Sequence, residues 1–251
     1  MSLEPTTRFS DRVENYIKYR PHYPPEIISF LEQEIGLTPS KVVADIGSGT
    51  GIFTELLVQH DNTVYAVEPN GPMREAAESL LASHPNFHSI NGTAEATTLP
   101  DASIDVITCA QAFHWFNIPT SLTEFKRILQ PDGWTVLLWN IRNPDSTPFL
   151  AAYEAFLIDY GNGYPVVADE SLPDRVGRFF PGSGFRQKDF YNYQLFDFDG
   201  LKGRLLSSSY IPQSGDRYDE MLKELRVIFD RFSQNGEVRF EYETNVYYGR
   251  V

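Results

Sequence analysis

Short apolar runs alternate with helically spaced apolar residues along the first half of the chain. The runs are four to eight residues long and stop at turn-forming residues, as buried strands do. The predicted strands are residues 42–46, 64–67, 87–90, 104–111 and 134–139. Helical segments separate most of these strands, and that order predicts a parallel sheet with helices on both faces.

The helices between these strands are predicted from apolar residues that recur every third or fourth position. Met73, Ala77 and Leu80 share one helical face in this way, and Pro72 stands in the first turn, where proline is tolerated. The same spacing predicts helices at residues 52–60, 71–84 and 118–129. The tripeptide Pro-Asp-Gly at 131–133 predicts a tight turn before the strand that follows it.

The second half of the chain is less regular and adds to this core. Helices are expected at 148–160, 199–207 and 217–232, and β-rich stretches at 187–198 and 238–248 are expected to pair as an edge hairpin. The predicted fold class is therefore α/β. It is a Rossmann-like, doubly wound, mostly parallel seven-stranded sheet with an antiparallel edge hairpin.

No repeat or linker divides the chain, so residues 1–251 are predicted to form a single domain. An N-terminal arm at about 8–35 and an insertion at about 141–185 lie outside the regular alternation. We expect both segments to cover the cleft in which ligands bind.

Charge and composition exclude several classes of function. The net charge is −13, so the basic surface that nucleic-acid binding requires is missing. Cys109 is the only cysteine, which excludes an internal disulfide, and the five histidines show no pair at metal-ligand spacing. No apolar run is long enough to span a membrane, and no signal pattern opens the sequence. We expect a cytoplasmic protein without a metal, in an oligomeric state that the sequence does not determine.

The segment VADIGSGTG at 43–51 is the strongest candidate for a ligand site. Its three glycines lie between a predicted strand and a predicted helix, where bare backbone allows a sharp turn and the helix N-terminus attracts an anion. Ile52 stands where the dinucleotide fingerprint requires its third glycine, and no Lys-Ser/Thr pair follows as in a Walker loop. The pattern favours another nucleoside-bearing ligand, and a plain strand-to-helix turn is the alternative.

Glu68 is the second candidate, because it ends the next predicted strand. An acidic residue at that position can accept hydrogen bonds from both hydroxyls of a bound ribose. The alternative is a solvated glutamate in the turn before Pro69. Ala94 and Glu95 follow the third predicted strand and are expected beside the adenine position.

Five segments between residues 40 and 140 form a specific set in order and spacing. They are DIGSGTG at 45–51, VYAVEPNGPM at 64–73, GTAEATTLP at 92–100, DVITCAQAFHWF at 105–116 and FKRILQPDGWTVL at 125–137. With these segments the chain resembles class I S-adenosylmethionine-dependent methyltransferases of the type-11 group. RVENYIKYRPHYP at 12–24 and YETNVYYGRV at 242–251 also resemble small-molecule members of that group.

The resemblance implies that S-adenosylmethionine binds at the carboxyl edge of the sheet. Glu68 would accept hydrogen bonds from the ribose hydroxyls. The residues that would hold or border the methionine portion are Asp45, Gly47, Ser48, Gly49, Gly51, Gln111 and Ala112. The residues that would form the adenine slot are Pro69, Met73, Ala94 and Glu95, with Glu95 accepting from the exocyclic amine.

The resemblance also implies a role for the arm, and the position of one histidine suggests a catalytic role. Tyr16, Tyr19 and Arg20 would close over the cofactor, and Arg20 would pair with its carboxylate. His114 follows the fourth predicted strand and is the candidate catalytic base or substrate hydrogen-bond partner. A structural histidine that donates to nearby backbone is the alternative.

The predicted function is transfer of a methyl group from S-adenosylmethionine to a small-molecule acceptor. The acidic charge argues against an RNA acceptor, and the reacting atom of the acceptor is undetermined. Two alternatives stay open. One is an NAD-binding oxidoreductase, and the other is a protein that binds the cofactor without transferring a methyl group.

Overall fold

Seven strands and nine helices are present in the described part of the chain, which in this computed structural model comprises residues 13–162, 172–180, 182, 184–208 and 210–251. The strands are β1 (Val42–Ile46), β2 (Thr63–Val67), β3 (Phe87–Ile90), β4 (Ile104–Ala110), β5 (Leu129–Ile141), β6 (Phe185–Phe196) and β7 (Val238–Gly249). The helices are α1 (Val13–Tyr19), α2 (Glu26–Ile35), α3 (Ile52–Gln59), α4 (Gly71–Leu80), α5 (Ile118–Ile128), α6 (Pro148–Tyr160), α7 (Leu172–Phe179), α8 (Phe198–Leu206) and α9 (Asp216–Phe232).

The strands form one mixed sheet in the order β3-β2-β1-β4-β5-β7-β6. The first five strands are parallel, and β7 runs antiparallel to both β5 and β6. The predicted α/β, doubly wound fold with an antiparallel edge hairpin is confirmed. The predicted arm and insertion are described only in part, because residues 8–12, 163–171, 181 and 183 lie outside the described residues.

Alternating side chains of the strands build a core on each face of the sheet. Val43 packs on one face with α2 and α3, and its neighbour Ala44 packs on the other face with α5 and α7. The same alternation separates Val136 from Leu137 in β5. Strands that are apolar on both faces are typical of a sheet covered by helices on each side.

A third core lies beyond the parallel strands, on an extension of the β6–β7 hairpin. Ile141 at the end of β5 pairs with Glu243, so residues 238–242 of β7 pair with β6 alone. Helices α6, α8 and α9 pack on this extension around Phe240. We call these three helices and the hairpin extension the cap, because they stand above the carboxyl edge of the parallel strands.

Local signals explain where the elements around that edge begin and end. The side chains of Asn70 and Asn117 accept hydrogen bonds from the first turns of α4 and α5, which fixes both helix starts. Strand β4 ends one residue before the prediction, because Gln111 adopts a left-handed φ of 56°. The predicted turn at 131–133 falls within the range of β5, at the point where its register with β4 shifts by three residues between Leu129 and Trp134.

Candidate functional site

The glycine loop after β1 turns through three left-handed residues. Gly47, Gly49 and Gly51 have φ values of 70°, 57° and 86°, which side chains rarely tolerate. A Cβ atom built on Gly47 would lie 2.5 Å from the Cβ of Ala112, so glycine also permits close contact with the segment after β4. The loop is held to β2 by hydrogen bonds from the amides of Gly47 and Ser48 to the carbonyl of Val67.

Glu68 lies directly against this loop. One of its carboxylate oxygens accepts from the amide of Gly49 at 2.8 Å, and the other accepts from the amide of Asn70 at 2.8 Å. Burial raises the pKa of Glu68, and the two amide hydrogen bonds oppose that rise. The two features that the sequence singled out therefore meet in one place, and the carboxylate retains lone pairs for a further donor.

Asp45 lies beneath the loop and is fully buried. Its carboxylate accepts from the hydroxyls of Thr54 at 2.6 Å and Thr108 at 2.8 Å. Burial raises its pKa to about 6, and the two hydroxyl hydrogen bonds oppose the rise. In this structure Asp45 joins β1, α3 and β4, and its predicted contact with the methionine portion stays a prediction.

Two hydroxyls of the glycine loop point at no partner among the described residues. The Oγ of Ser48 and the Oγ1 of Thr50 are both buried and make no hydrogen bond there. Buried hydroxyls are nearly always paired, so two unpaired ones in one loop mark a place where a polar ligand fits. They lie next to the Glu68 carboxylate and the α3 N-terminus, which suits a ligand with both hydroxyls and a carboxylate.

The four residues predicted to form the adenine slot lie at the same edge, and their contact with adenine stays a prediction. Met73 is buried on α4, with its Sδ 3.8 Å from a Cβ built on Gly49, and Pro69 is half-buried beside Glu68. Ala94 is buried in the core beneath. The Oε1 atom of Glu95 accepts from the Asn117 backbone amide at 2.9 Å, so its predicted bond to adenine would use Oε2.

The segment after β4 brings two predicted residues to the glycine loop. Ala112 contacts Gly47, as described above, and the Oε1 atom of Gln111 accepts from the Asn140 amide at 3.0 Å. That bond ties Gln111 to the carboxyl end of β5. His114 follows on a short 3₁₀ turn, where its exposed ring lies 4.7 Å from the Trp115 ring centre.

The arm crosses the carboxyl edge of the sheet between the cap and helix α4. Helix α1 contacts both α8 of the cap and α4. The Tyr19 ring packs against Gly203 of α8, and the guanidinium of Arg20 lies 4.9 Å from the Tyr16 ring centre. Asn192 donates to the carbonyl of His22 at 2.7 Å, which ties the arm to β6. The three predicted arm residues therefore lie above the sheet edge, and their contacts to a cofactor stay predictions.

The cap contributes polar residues that the sequence analysis did not single out. Arg204 of α8 is buried and donates to the Tyr242 hydroxyl at 3.2 Å, and that hydroxyl donates to Gln194 at 3.0 Å. A signal was present, because Arg204 shares the helical face of Leu201 and Leu205, both fully buried. An arginine on the apolar face of a helix indicates an internal polar contact.

Comparison with known proteins shows that the chain is similar to methyltransferases. Residues 44–137 match the family model described as "Methyltransferase domain". A Schizosaccharomyces pombe protein named "Uncharacterized methyltransferase" is 28% identical over 247 residues, which cover 95% of each chain. A Mycobacterium tuberculosis protein with the same designation is 37% identical over 135 residues, 54% of this chain and 53% of its own length.

A solved structure from Anaeromyxobacter dehalogenans, provisionally named a type II methyltransferase, shares the fold with a TM-score of 0.65 at 22% identity. The match covers 92% of this chain and 98% of that one. Among the described residues, no helix is long and apolar enough to cross a membrane. The fold, the methyltransferase domain matched at residues 44–137 and these relatives together support the resemblance of the chain to class I S-adenosylmethionine-dependent methyltransferases.

Proposed function

We propose that this protein transfers a methyl group from S-adenosylmethionine to a small molecule bound beneath the arm and the cap. The observation that carries the proposal is the paired geometry of the glycine loop and Glu68. Unpaired buried hydroxyls of Ser48 and Thr50 lie beside a carboxylate that already gathers two backbone amides. This group fits the adenosyl and methionine portions of the cofactor in chemistry and in place.

The residues divide the work of binding in a simple way. Glu68 accepts from the ribose, the glycine loop holds the methionine portion, and Arg20 pairs with its carboxylate. When bound, the cofactor supplies a methyl group that its sulfonium has already activated. The remaining task of the protein is to align the acceptor beside Gln111 and Ala112 and to exclude water.

Two features support a small acceptor. The arm and the cap both stand over the carboxyl edge, so the space for an acceptor is enclosed on two sides. The net charge of −13 opposes nucleic-acid binding by the protein as a whole. His114 lies on the same edge, where it would take a proton from the acceptor or orient it.

The test is thermal unfolding with S-adenosylhomocysteine or with NAD⁺, followed by transfer of a labelled methyl group to a panel of small molecules. At about 100 times its Kd, S-adenosylhomocysteine should stabilise the protein by about 2.7 kcal/mol, and NAD⁺ should have no effect. Stabilisation by NAD⁺ alone would favour the oxidoreductase. Tight cofactor binding without transfer to any acceptor would favour a protein that has only the binding function.

A further inference from the structure

Two guanidinium groups converge on Ser207, at the junction of the arm and the cap. Arg20 donates from Nη2 to the Ser207 carbonyl at 3.0 Å, and Arg204 lies 3.5 Å from the Ser207 hydroxyl through Nη1. Arg204 is 8% exposed, and the Nε atom of Arg20 is buried. Two like charges therefore sit side by side between the arm and α8.

No carboxylate balances this pair in the described part of the chain. The Nε atom of Arg20 makes no hydrogen bond there, and the partners of Arg204 are the neutral hydroxyls of Tyr242, Ser207 and Ser208. Other arginines of this protein differ, since Arg127 has two acidic partners and Arg142 pairs with Glu154. Buried cations without counterions are costly, and proteins seldom keep them without a use.

The pKa values of the two arginines shift in opposite directions. Burial, and after it the charge of Arg204, lowers the pKa of Arg20. Burial also lowers the pKa of Arg204, but the neighbouring tyrosines Tyr242, Tyr153 and Tyr210 outweigh it and raise that pKa. The cofactor makes the imbalance larger, because its sulfonium and ammonium exceed its single carboxylate by one positive charge. If that carboxylate pairs with Arg20, the cofactor has no further anion for Arg204.

Building on the proposed function, we propose that Arg204, with Arg20 beside it, binds an oxyanion of the methyl acceptor. The acceptor is then a small organic acid, held by a carboxylate or a phosphate ester. A guanidinium offers a planar fork of donors that matches either group. The overall negative charge of the protein repels such a ligand, so recognition depends on the local positive charge of Arg204.

The first test uses the wild-type protein and needs no variant. Labelled-methyl transfer is measured on small carboxylic acids and phosphate monoesters, and on the neutral amides or alcohols of the same skeletons. We expect transfer to members of the acidic set, with the neutral counterpart at least tenfold poorer in kcat/KM. Equal or better transfer to neutral counterparts would overturn the proposal.

The second test separates the acceptor from the cofactor as the source of the anion. Arg204→Gln should raise the acceptor KM roughly ten- to hundredfold. Arg204→Lys should restore part of the loss. The matched control is Arg226→Gln, which removes an arginine that also lies over aromatic rings of the cap but whose side chain is 51% exposed.

Binding of S-adenosylhomocysteine and of 5′-methylthioadenosine, which lacks the amino-acid portion, completes the design. Arg204→Gln should leave both affinities within twofold of the wild type, which also shows that the variant is folded. A selective loss of S-adenosylhomocysteine binding would assign the anion to the cofactor, and an unchanged acceptor KM would make Arg204 structural. Either result overturns the inference, whereas failure of the wild type to bind S-adenosylhomocysteine would reject the proposed function itself.

Discussion

Glu68 links two backbone segments in addition to its proposed bond with ribose. Replacement by alanine removes the charge-assisted acceptor and also frees the amides of Gly49 and Asn70. We expect Glu68→Ala to weaken S-adenosylhomocysteine binding by about 1.5–3 kcal/mol, measured by titration calorimetry. Glu78→Ala is the control, since its side chain is 48% exposed on α4. An unchanged affinity would reject the role of Glu68.

His114 gives a second prediction at this scale. We expect His114→Ala to lower turnover about 100-fold, because the variant lacks the imidazole that would take a proton from the methyl acceptor. The affinity for S-adenosylhomocysteine should stay near that of the wild type. His84 precedes β3 at the opposite edge of the sheet and serves as the control. A normal rate with the true acceptor would remove His114 from the mechanism.

Individual site residues differ in how far the sequence reveals them. The glycine loop and Glu68 were predictable together, because parallel strands end at one edge and each feature follows a strand. Arg204 carried a local signal on its helix, but its place beside the arm was not predictable, since it depends on contacts such as that between Arg20 and Ser207, which are 187 residues apart. The hydroxyls that bind Asp45 were missed for the same reason, as Thr108 lies 63 residues away.

At the scale of elements, the glycine loop and the segment after β4 pack so closely that position 47 has no room for a side chain. Gly47→Ala would place a Cβ 2.5 Å from that of Ala112 at a left-handed φ. We expect it to lower the free energy of unfolding by about 1–3 kcal/mol and to weaken cofactor binding. Gly177→Ala in α7 meets open space and should instead stabilise by about 0.5–1 kcal/mol. Urea unfolding of both variants is the measurement. Equal changes in unfolding free energy would contradict the claim that position 47 requires glycine.

The contact between α1 and α8 depends on another glycine. A Cβ on Gly203 would lie 2.0 Å from the Tyr19 ring, so Gly203→Ala should displace the arm. We expect faster proteolysis within residues 13–20 and a weaker response to S-adenosylhomocysteine. Limited proteolysis followed by mass spectrometry measures the first effect. If cleavage in the arm is no faster than in the wild type, α1 is not held by this contact.

The strands and most helices were predictable as elements, because the spacing of their apolar residues distinguishes a strand from a helix. The ends were less predictable: α4 stops at Leu80 instead of residue 84, and β5 begins at Leu129, before the predicted turn, instead of at residue 134. The relation of the cap to the sheet was not predictable, because it depends on the register between Ile141 and Glu243. Apolar spacing within a strand says nothing about how far its partner extends.

For the whole molecule, buried Asp45 makes stability depend on pH. Burial raises its pKa to about 6, while an unfolded aspartate titrates near about 3.9. Between these values the folded state binds more protons, so this contribution is full below about pH 4 and is lost as the pH rises through about 6. Relative to Asp45→Asn, the wild type should lose up to about 3 kcal/mol of unfolding free energy over that range.

Urea unfolding of both proteins at several pH values measures this difference. Glu124 supplies a control of opposite sign, because hydrogen bonds from Arg127 and then from Thr97 lower its pKa to about 2. The contribution of Glu124 to the unfolding free energy is present above about pH 4.3. It is lost as the pH falls through the folded-state pKa of about 2. If the difference in unfolding free energy between the wild type and Asp45→Asn is constant with pH, the pKa of Asp45 is not raised in the folded state.

The position of β7 has a consequence for the order of folding. It lies between β5 and β6, and both of these precede it in the sequence. Until β7 inserts, β6 has no neighbour and β5 exposes an unpaired edge, the kind of edge through which chains aggregate. The parallel half of the sheet, β1 to β5, can thus form early from local βα units, whereas the β6–β7 hairpin and the cap wait for a late, long-range pairing.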